Sequence, residues 1–279
     1  MSSYVDLHLH TNHSDGSDPP EKVVDRAISC GLAGIAITDH DTVSGVEPAA
    51  REARRHGLDF LRGVEISASY GRIEVHVVGL GIDVRHEPLV RELRSFREAR
   101  AARVDRMIEK LNALGVPIER AEVEIHGESG GALGRVHVAR ALVAKGAAQT
   151  VQQGFDKYLR SGRKAYVPRQ MLSCRAAIDL IHEAGGLAIL AHPGIGSTIM
   201  KLLPRLLEMR FDGIEMYHTQ HTPGQVTQLT QIALERDLLI SGGSDCHGTA
   251  LKEKPDMGSV RVPYYHFQRI WNILHEKRV

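Results

Sequence analysis

Val5-Asp6-Leu7-His8-Leu9-His10-Thr11-Asn12-His13-Ser14-Asp15-Gly16 sets the reading of the whole chain. Two histidines stand two residues apart in an apolar run, followed by an acidic turn, ahead of the first helical pattern. Residues i and i+2 of a β-strand face the same side, so the imidazoles of His8 and His10 can converge on one cation. Asp15 returns from the following loop and completes a donor set suited to a divalent metal.

Outward from this strand, apolar runs bounded by Gly, Asp or Pro recur at Gly34–Asp39, Phe60–Ile66, Ile73–Gly79, Leu187–His192, Gly213–Tyr217 and Leu238–Ser241. With Tyr4–His10 they make seven strand candidates. Segments Glu21–Cys30, Val46–His56, Ser173–Ala184, Ile199–Met209 and Gln225–Glu235 carry apolar residues at i, i+3, i+4 spacing, and Leu251–Val279 ends in one more such segment. The alternation predicts an α/β fold with a parallel sheet, most simply a closed or nearly closed TIM-like barrel. From Glu87 to Lys164 the alternation breaks. A long Arg-rich helix over Leu89–Leu114 and shorter helical pieces at Val136–Lys145 and Thr150–Leu159 predict an inserted helical subdomain, with Gly127–Gly131 a loop inside it. The expected division is a metal-binding barrel over residues 1–86 and 165–279 and a basic substrate-binding insertion over 87–164.

A chain of 279 residues, 42% hydrophobic, is long enough for one barrel-sized domain with a large core. No stretch approaches the roughly 20 apolar residues of a membrane span, and the N-terminus enters a strand without a signal-peptide pattern, so a cytoplasmic enzyme is expected. Cys30, Cys174 and Cys246 form no CxxC pair, which argues against a disulfide framework and a thiolate zinc cage. The net charge is +1, yet residues 91–170 hold 16 Lys and Arg against 9 Asp and Glu. A basic segment set in an acidic body suits an enzyme that binds cations at one place and anions at another.

Further clusters fall at or near predicted strand ends, where the loops of an α/β barrel build active sites. They are Thr38-Asp39-His40-Asp41, Gly63-Val64-Glu65, Glu74-Val75-His76, Ala191-His192-Pro193 and Gly243-Ser244-Asp245-Cys246-His247, the last repeating the i, i+2 spacing of the first. A lone histidine in an apolar strand is more often a satisfied core residue than a ligand. Six histidines (His8, His10, His40, His76, His192, His247) and three carboxylates (Asp15, Glu65, Asp245) together are another matter. Burying so many unpaired ionisable groups costs several kcal/mol each unless cations compensate. Nine donors exceed the needs of one ion with open positions, so two or three divalent ions are expected, with a bridging carboxylate.

The order DxHxH, TDH, GxE, ExH, HP and SDxH resembles the PHP family, named for polymerase and histidinol phosphatase, within the amidohydrolase-like metal-dependent hydrolases. The resemblance covers nearly the whole chain and implies a distorted (β/α)7 barrel with a trinuclear site. It places His8, His10, Glu65 and Asp245 on one ion, Glu65, His76 and His192 on a second, and Asp15, His40 and His247 on a third. The helical insertion and the segments Gly134-Arg135-Val136-His137-Val138-Ala139 and Lys164-Ala165-Tyr166-Val167-Pro168 look like the 3′,5′-nucleotide bisphosphate phosphatases, whose related members act as 5′-to-3′ exoribonucleases on short RNA.

The expected reaction is removal of the 3′-phosphate from a 3′,5′-bisphosphorylated nucleoside. Metal ions depress the pKa of water, so a bridging hydroxide can attack phosphorus in line while the ions hold the non-bridging oxygens. No general acid is assigned. Arg135 is expected to clamp a phosphate, with Lys164 and Arg169 as further cations and the backbone amides of Gly130-Gly131 close by. Asp6 and Asp39 read as acceptors that orient imidazoles. Cys246, by strand alternation, should point away from the metals, and His13 reads as a loop residue. His218 and His221 follow the sixth strand and read as surface loop before substrate contact.

Four other readings stand beside this one. Exonuclease action on short 5′-phosphorylated RNA needs only room for one or two more bases, for which Tyr158, Tyr166 and Tyr217 are available. Histidinol-phosphate hydrolysis uses a similar metal site without the insertion segments, and amide or lactone hydrolysis gives no reason for the insertion's positive charge. A polymerase accessory module is disfavoured because the chain ends at Val279. The imidazole and carboxylate donors suit Mn²⁺, Fe²⁺ and Zn²⁺ alike.

Overall fold

The computed structural model describes residues 3–126, 133–248 and 256–276. Its elements run β1 (Tyr4–Leu9), α1 (Pro20–Ser29), β2 (Gly34–Ile37), α2 (Val46–His56), β3 (Asp59–Tyr70), β4 (Ile73–Leu80), α3 (Glu87–Ala113), α4 (Arg120–Glu124), α5 (Arg135–Ala144) and α6 (Val151–Gly154), which passes into a π-helical turn, Phe155–Leu159. There follow β5 (Leu172–Ser173), α7 (Cys174–Glu183), β6 (Leu187–Leu190), α8 (Thr198–Leu206), β7 (Gly213–His218), α9 (Pro223–Glu235), β8 (Leu239–Gly243), β9 (Val262–Pro263) and α10 (Tyr264–Glu276). All seven expected strands are present, and the two further strands among the described residues are only two residues long.

Two compact units emerge, one of Met1–Arg91 with Leu172–Val279 and one of Glu92–Met171. In the first, the sheet runs β8-β7-β6-β4-β3-β2-β1-β9. It closes nearly into a barrel, because the segment after β8 returns along β1. Asp245 N–H donates to the His8 carbonyl (3.0 Å) and His10 N–H to the Cys246 carbonyl (3.1 Å).

The expectation of a parallel sheet fails at β4 and at the short edge strand β9, which pairs antiparallel with β1. β4 pairs antiparallel with both β3 and β6. No helix separates β3 from β4; Gly71, at φ +63°, turns the chain within two residues, a left-handed conformation that glycine adopts without steric cost. A tight hairpin permits only antiparallel pairing, so β4 runs against its neighbours.

Apolar residues bury on both sides of the closing sheet. Inside and beneath it lie Val5, Leu7, Leu61, Val78, Leu80, Ile189, Phe267 and Leu274. A second cluster joins Leu9, Ile35 and Ile37 to the apolar faces of α1 and α2. α2 buries Val46, Ala49, Ala50 and Ala53 at helical spacing and stops at Gly57 (φ +67°). α9 begins with Pro223 behind a capping box in which Thr222 and Gln225 satisfy each other's backbone N–H groups. The second unit has its own core, including Met107, Leu111, Val138, Leu142 and Leu159. No described helix is long and apolar enough to cross a membrane.

Candidate metal centre

All nine expected donors lie in the barrel unit, and the chain's alternation explains how they meet. His8 lies in β1 and His10 directly follows it, and both are buried. Asp15 comes from the loop before α1, His40 follows β2, His192 follows β6, and Asp245 and His247 follow β8. Glu65 and His76 depart from the expected strand-end placement. Both sit within their strands, since β3 extends past its pairing with β2 to form the hairpin, and the antiparallel β4 brings its N-terminal half to the site.

Glu65 is the hub. Its Oε2 lies 2.9 Å from His40 Nδ1 and 3.3 Å from both His8 Nε2 and His10 Nε2. Its Oε1 lies 2.9 Å from His76 Nδ1 and 3.0 Å from His192 Nε2. Asp245 Oδ1 approaches His10 Nε2 at 3.0 Å and His8 Nε2 at 3.6 Å. Asp15 faces His247 Nε2 at 3.3 Å, His10 Nδ1 at 3.6 Å and His40 Nε2 at 3.8 Å. The His8 and His10 Nε2 atoms are 3.1 Å apart, and the His10 and His247 rings stack at 4.2 Å.

These donors fit divalent ions. Glu65 Oε2, His10 Nδ1 and His40 Nδ1 are buried and complete no hydrogen bond among the described residues, although the Glu65 and His40 atoms are within 2.9 Å. Buried polar groups that approach without hydrogen bonding are costly, and convergence on a shared cation removes that cost. Groups of donors within 4.8 Å of one another include His10, Asp15, His40 and His247; His8, His10 and Glu65; and His40, Glu65 and His76. The oxygen and nitrogen donor set suits Mn²⁺, Fe²⁺ or Zn²⁺.

Without cations, proton sharing holds the cluster together. Burial opposes charge on His8, but Glu215, Glu65 and Asp245 outweigh it and carry the imidazole well above its ordinary value. Burial likewise opposes the cation on His76, which its Glu65 and Glu74 contacts push up to about 10. His247, held by Asp15 and Asp245 against burial, rises to about 9. Burial and then the neighbouring His247 lower His10. The surrounding imidazoles hold Glu65 and Asp245 well below the carboxylate range in spite of burial.

The chain's backbone is strained at this site. His192 (φ +28°) and Asp245 (φ +54°) are left-handed non-glycine residues, a conformation costing about 1–3 kcal/mol each that persists where the surroundings hold it. Asp245 is anchored to the His8 carbonyl, and the His192 N–H donates to Glu215 Oε2 at 2.8 Å.

Asp6 and Asp39 do not orient imidazoles. Asp6 Oδ1 accepts the backbone N–H groups of Ser244 (2.9 Å) and His8 (3.3 Å). Asp39 accepts from Thr11 N–H, the Thr11 hydroxyl and the Ser14 hydroxyl, each at 2.7 Å, and so shapes the loop that carries Asp15. Adjacency to a ligand in the chain does not place a carboxylate beside its ring. Besides Glu65, a second buried acid contacts an imidazole: Glu215 on β7, 2.8 Å from His8 Nδ1. The sequence reading passed over it, although an ionisable residue inside the apolar run Gly213–Tyr217 was a signal.

Cys246 turns away from the donors, into the cluster with Leu9 and Met257. His13 Nδ1 pairs with the Ser44 hydroxyl at 2.8 Å. His218 is buried rather than at the surface, with Nδ1 accepting from Gln220 N–H and Nε2 3.5 Å from Asp245 Oδ2. His221 joins two loops, donating from Nδ1 to the Met216 carbonyl and accepting from Gly194 N–H. The substrate candidates belong to the other unit. Arg135 opens α5, with its guanidinium 5.9 Å from the Phe155 ring centre. Lys164 is exposed and Arg169 half-buried. The Gly130-Gly131 pair lies outside the described residues.

Comparisons with known proteins place the chain in a family. The PHP domain matches residues 6–167. The chain is 40% identical over 250 residues to the 5′-3′ exoribonuclease Rnm of Escherichia coli (strain K12), covering 87% of this chain and 84% of that protein. It is 38% identical over 249 residues to the 3′,5′-nucleoside bisphosphate phosphatase of Chromobacterium violaceum, covering 87% of each. Among solved structures, a Bifidobacterium adolescentis protein assigned as a metal-dependent phosphoesterase superposes with a TM-score of 0.82 at 32% identity, over 97% of this chain and 96% of that one. The fold and these relatives define a metal-dependent hydrolase of phosphoric esters. The chain belongs to the PHP domain family.

Proposed function

We propose that this phosphoesterase releases the 3′-phosphate of 3′,5′-bisphosphorylated nucleosides. The observation that carries the reading is the Glu65 carboxylate, which turns one oxygen to His8, His10 and His40 and the other to His76 and His192. A carboxylate so placed suits bridging between ions, and adjacent ions suit phosphoryl transfer. In this reading His8, His10, Glu65 and Asp245 hold one ion, Glu65, His76 and His192 a second, and Asp15, His40 and His247 a third. When bound, the ions supply water activation at neutral pH and neutralise charge on the phosphoryl oxygens. The side chains keep the donors at fixed separation, and Asp39 fixes the loop that delivers Asp15. Arg135, Lys164 and Arg169 take the substrate's second phosphate. The similarity to the Chromobacterium violaceum phosphatase supports this substrate.

A second reading, 5′-to-3′ hydrolysis of short 5′-phosphorylated RNA, is favoured by the 40% identity to the Escherichia coli exoribonuclease. The test is a phosphate- and nucleotide-release screen with Mn²⁺-loaded protein across mono- and bisphosphorylated nucleosides, sugar phosphates, histidinol phosphate and short RNA. Highest kcat/KM on a 3′,5′-bisphosphate is expected. Preference for histidinol phosphate or sugar phosphates overturns the proposal, and stepwise release of mononucleotides from RNA as the faster reaction replaces it with the second reading.

A further inference from the structure

We infer that Glu215 is a positioning residue that selects which nitrogen of His8 is presented to the metal donors, and that it holds the His192 loop with the same carboxylate. The inference rests on the reading of His8, His10, Glu65 and Asp245 as metal donors.

Glu215 is fully buried in the middle of β7. Its Oε1 lies 2.8 Å from His8 Nδ1, and its Oε2 accepts the His192 N–H at 2.8 Å. An ionised carboxylate can only accept, so the hydrogen between Oε1 and the ring belongs to His8 Nδ1. With Nδ1 committed to Glu215, Nε2 faces the other donors, 3.1 Å from His10 Nε2 and 3.3 Å from Glu65 Oε2. Both Glu215 oxygens are engaged, which distinguishes this acid from Glu65 and makes it a support of the donors.

The second arm reaches a different part of the barrel. His192 is held at φ +28°, and its N–H has Glu215 as acceptor. One buried carboxylate therefore ties the first strand to the loop after β6, each of which delivers a donor. Partners of this kind fix ring orientation and raise ligand basicity, and their loss typically costs roughly 10–100-fold in metal affinity.

Glu215→Gln separates this role from simple filling of space. The amide has the same shape but only one acceptor oxygen. If that oxygen keeps the His192 N–H, the amide NH₂ must donate to His8 Nδ1, and the ring proton moves to Nε2, where it blocks coordination. The experiment measures Zn²⁺ affinity by calorimetry and metal content by mass spectrometry for both proteins, with long-range ¹H–¹⁵N spectra of the histidines in the zinc-loaded state. The expected result is a wild type with His8 protonated on Nδ1 and a variant that retains its fold by circular dichroism but binds zinc roughly 10–100-fold more weakly. Equal affinity and an unchanged His8 tautomer in the variant overturn the inference while leaving the metal reading intact. A wild type that binds no metal overturns the metal reading and this inference with it. Should the variant fail to fold, the wild-type spectrum decides, because a zinc-loaded His8 with its proton on Nε2 also overturns the assignment.

Discussion

Glu65 Oε2 and His40 Nδ1 lie 2.9 Å apart, yet neither atom completes a hydrogen bond among the described residues. Two buried polar atoms held together off the hydrogen-bonding direction are placed for a common third partner. Stripping with a chelator should lower the melting temperature, and Mn²⁺ or Zn²⁺ should restore it, since a ligand at 100 times its Kd stabilises the folded state by about 2.7 kcal/mol. Glu65→Gln should lose most of that increment and nearly all phosphatase activity. Calorimetric melting with and without metal, beside wild type, checks both; an unchanged metal-induced shift in Glu65→Gln would count against Glu65 as the bridge.

Metal affinity should rise with pH. In the metal-free site His76 is pushed up to about 10 and His247 to about 9, so cations must displace protons. These two raised groups stabilise the metal-free protein fully below the ordinary histidine value of about 6.5, and the contribution is lost as pH climbs through 9 to 10. Glu65 and Asp245 are depressed, so their contribution is present above the ordinary carboxylate range and fades as pH falls below it. Titration calorimetry in buffers of different ionisation enthalpy should show proton release on metal binding at pH 7, declining by pH 10.

Asp39 uses both oxygens on three donors of the Thr11–Ser14 loop. Asp39→Asn sets an NH₂ group against one of them, and a buried group left unsatisfied costs about 1–3 kcal/mol. Gly45→Ala should disturb the same contact, because a Cβ there would lie 2.5 Å from Asp39 Oδ2 and 2.7 Å from Thr11 Oγ1. Both variants should unfold at lower urea concentration than wild type, and both should bind less metal, through displacement of Asp15. Urea midpoints and metal content report the two effects.

Arg135→Ala should raise KM for a 3′,5′-bisphosphorylated nucleoside by roughly tenfold or more, the equivalent of one charge-assisted hydrogen bond of about 1.5–3 kcal/mol. KM for an aryl phosphate, which has no second phosphate, should hardly move. Steady-state kinetics on both substrates test the assignment, and equal effects would remove Arg135 from the substrate contacts.

His266 gives the metal-free barrel a separate acid limit. Burial, then the charge of Arg269, pull it down to about 4, and its Nδ1 has no partner among the described residues. A histidine buried neutral favours the folded state above about 6.5, and the benefit falls away as pH drops toward 4, where the unfolded chain takes up the proton first. His266→Phe should flatten this part of the stability profile. Urea midpoints from pH 7 to pH 4 would show it.

The donors were legible because their chemistry is local. His8-x-His10 and Asp245-x-His247 obey the two-residue period of a strand, and apolar runs of four to eight residues locate β1, β2, β6, β7 and β8 closely. The β3–β4 hairpin was missed as a hairpin, although Tyr70-Gly71-Arg72-Ile73 carries its turn residue. Repetition of strand and helix elsewhere favours a parallel sheet, which the two residues between β3 and β4 cannot connect. Asp6 and Asp39 read as supports of the imidazoles, but their oxygens are taken by backbone N–H groups and hydroxyls of segments that only the fold brings beside them.

By itself the sequence determined the kinds of atom that gather here, imidazole and carboxylate, and the strands and loops that carry them. Only the tertiary structure decided which Glu65 oxygen faces which ring, and that the acid at His8 Nδ1 is Glu215, 207 positions away along the chain. The physical reason lies in the range of the interactions. Strand period and turn chemistry act over a few residues, whereas the meeting of β1 with β7 and β8 depends on closing the barrel, which no local pattern encodes.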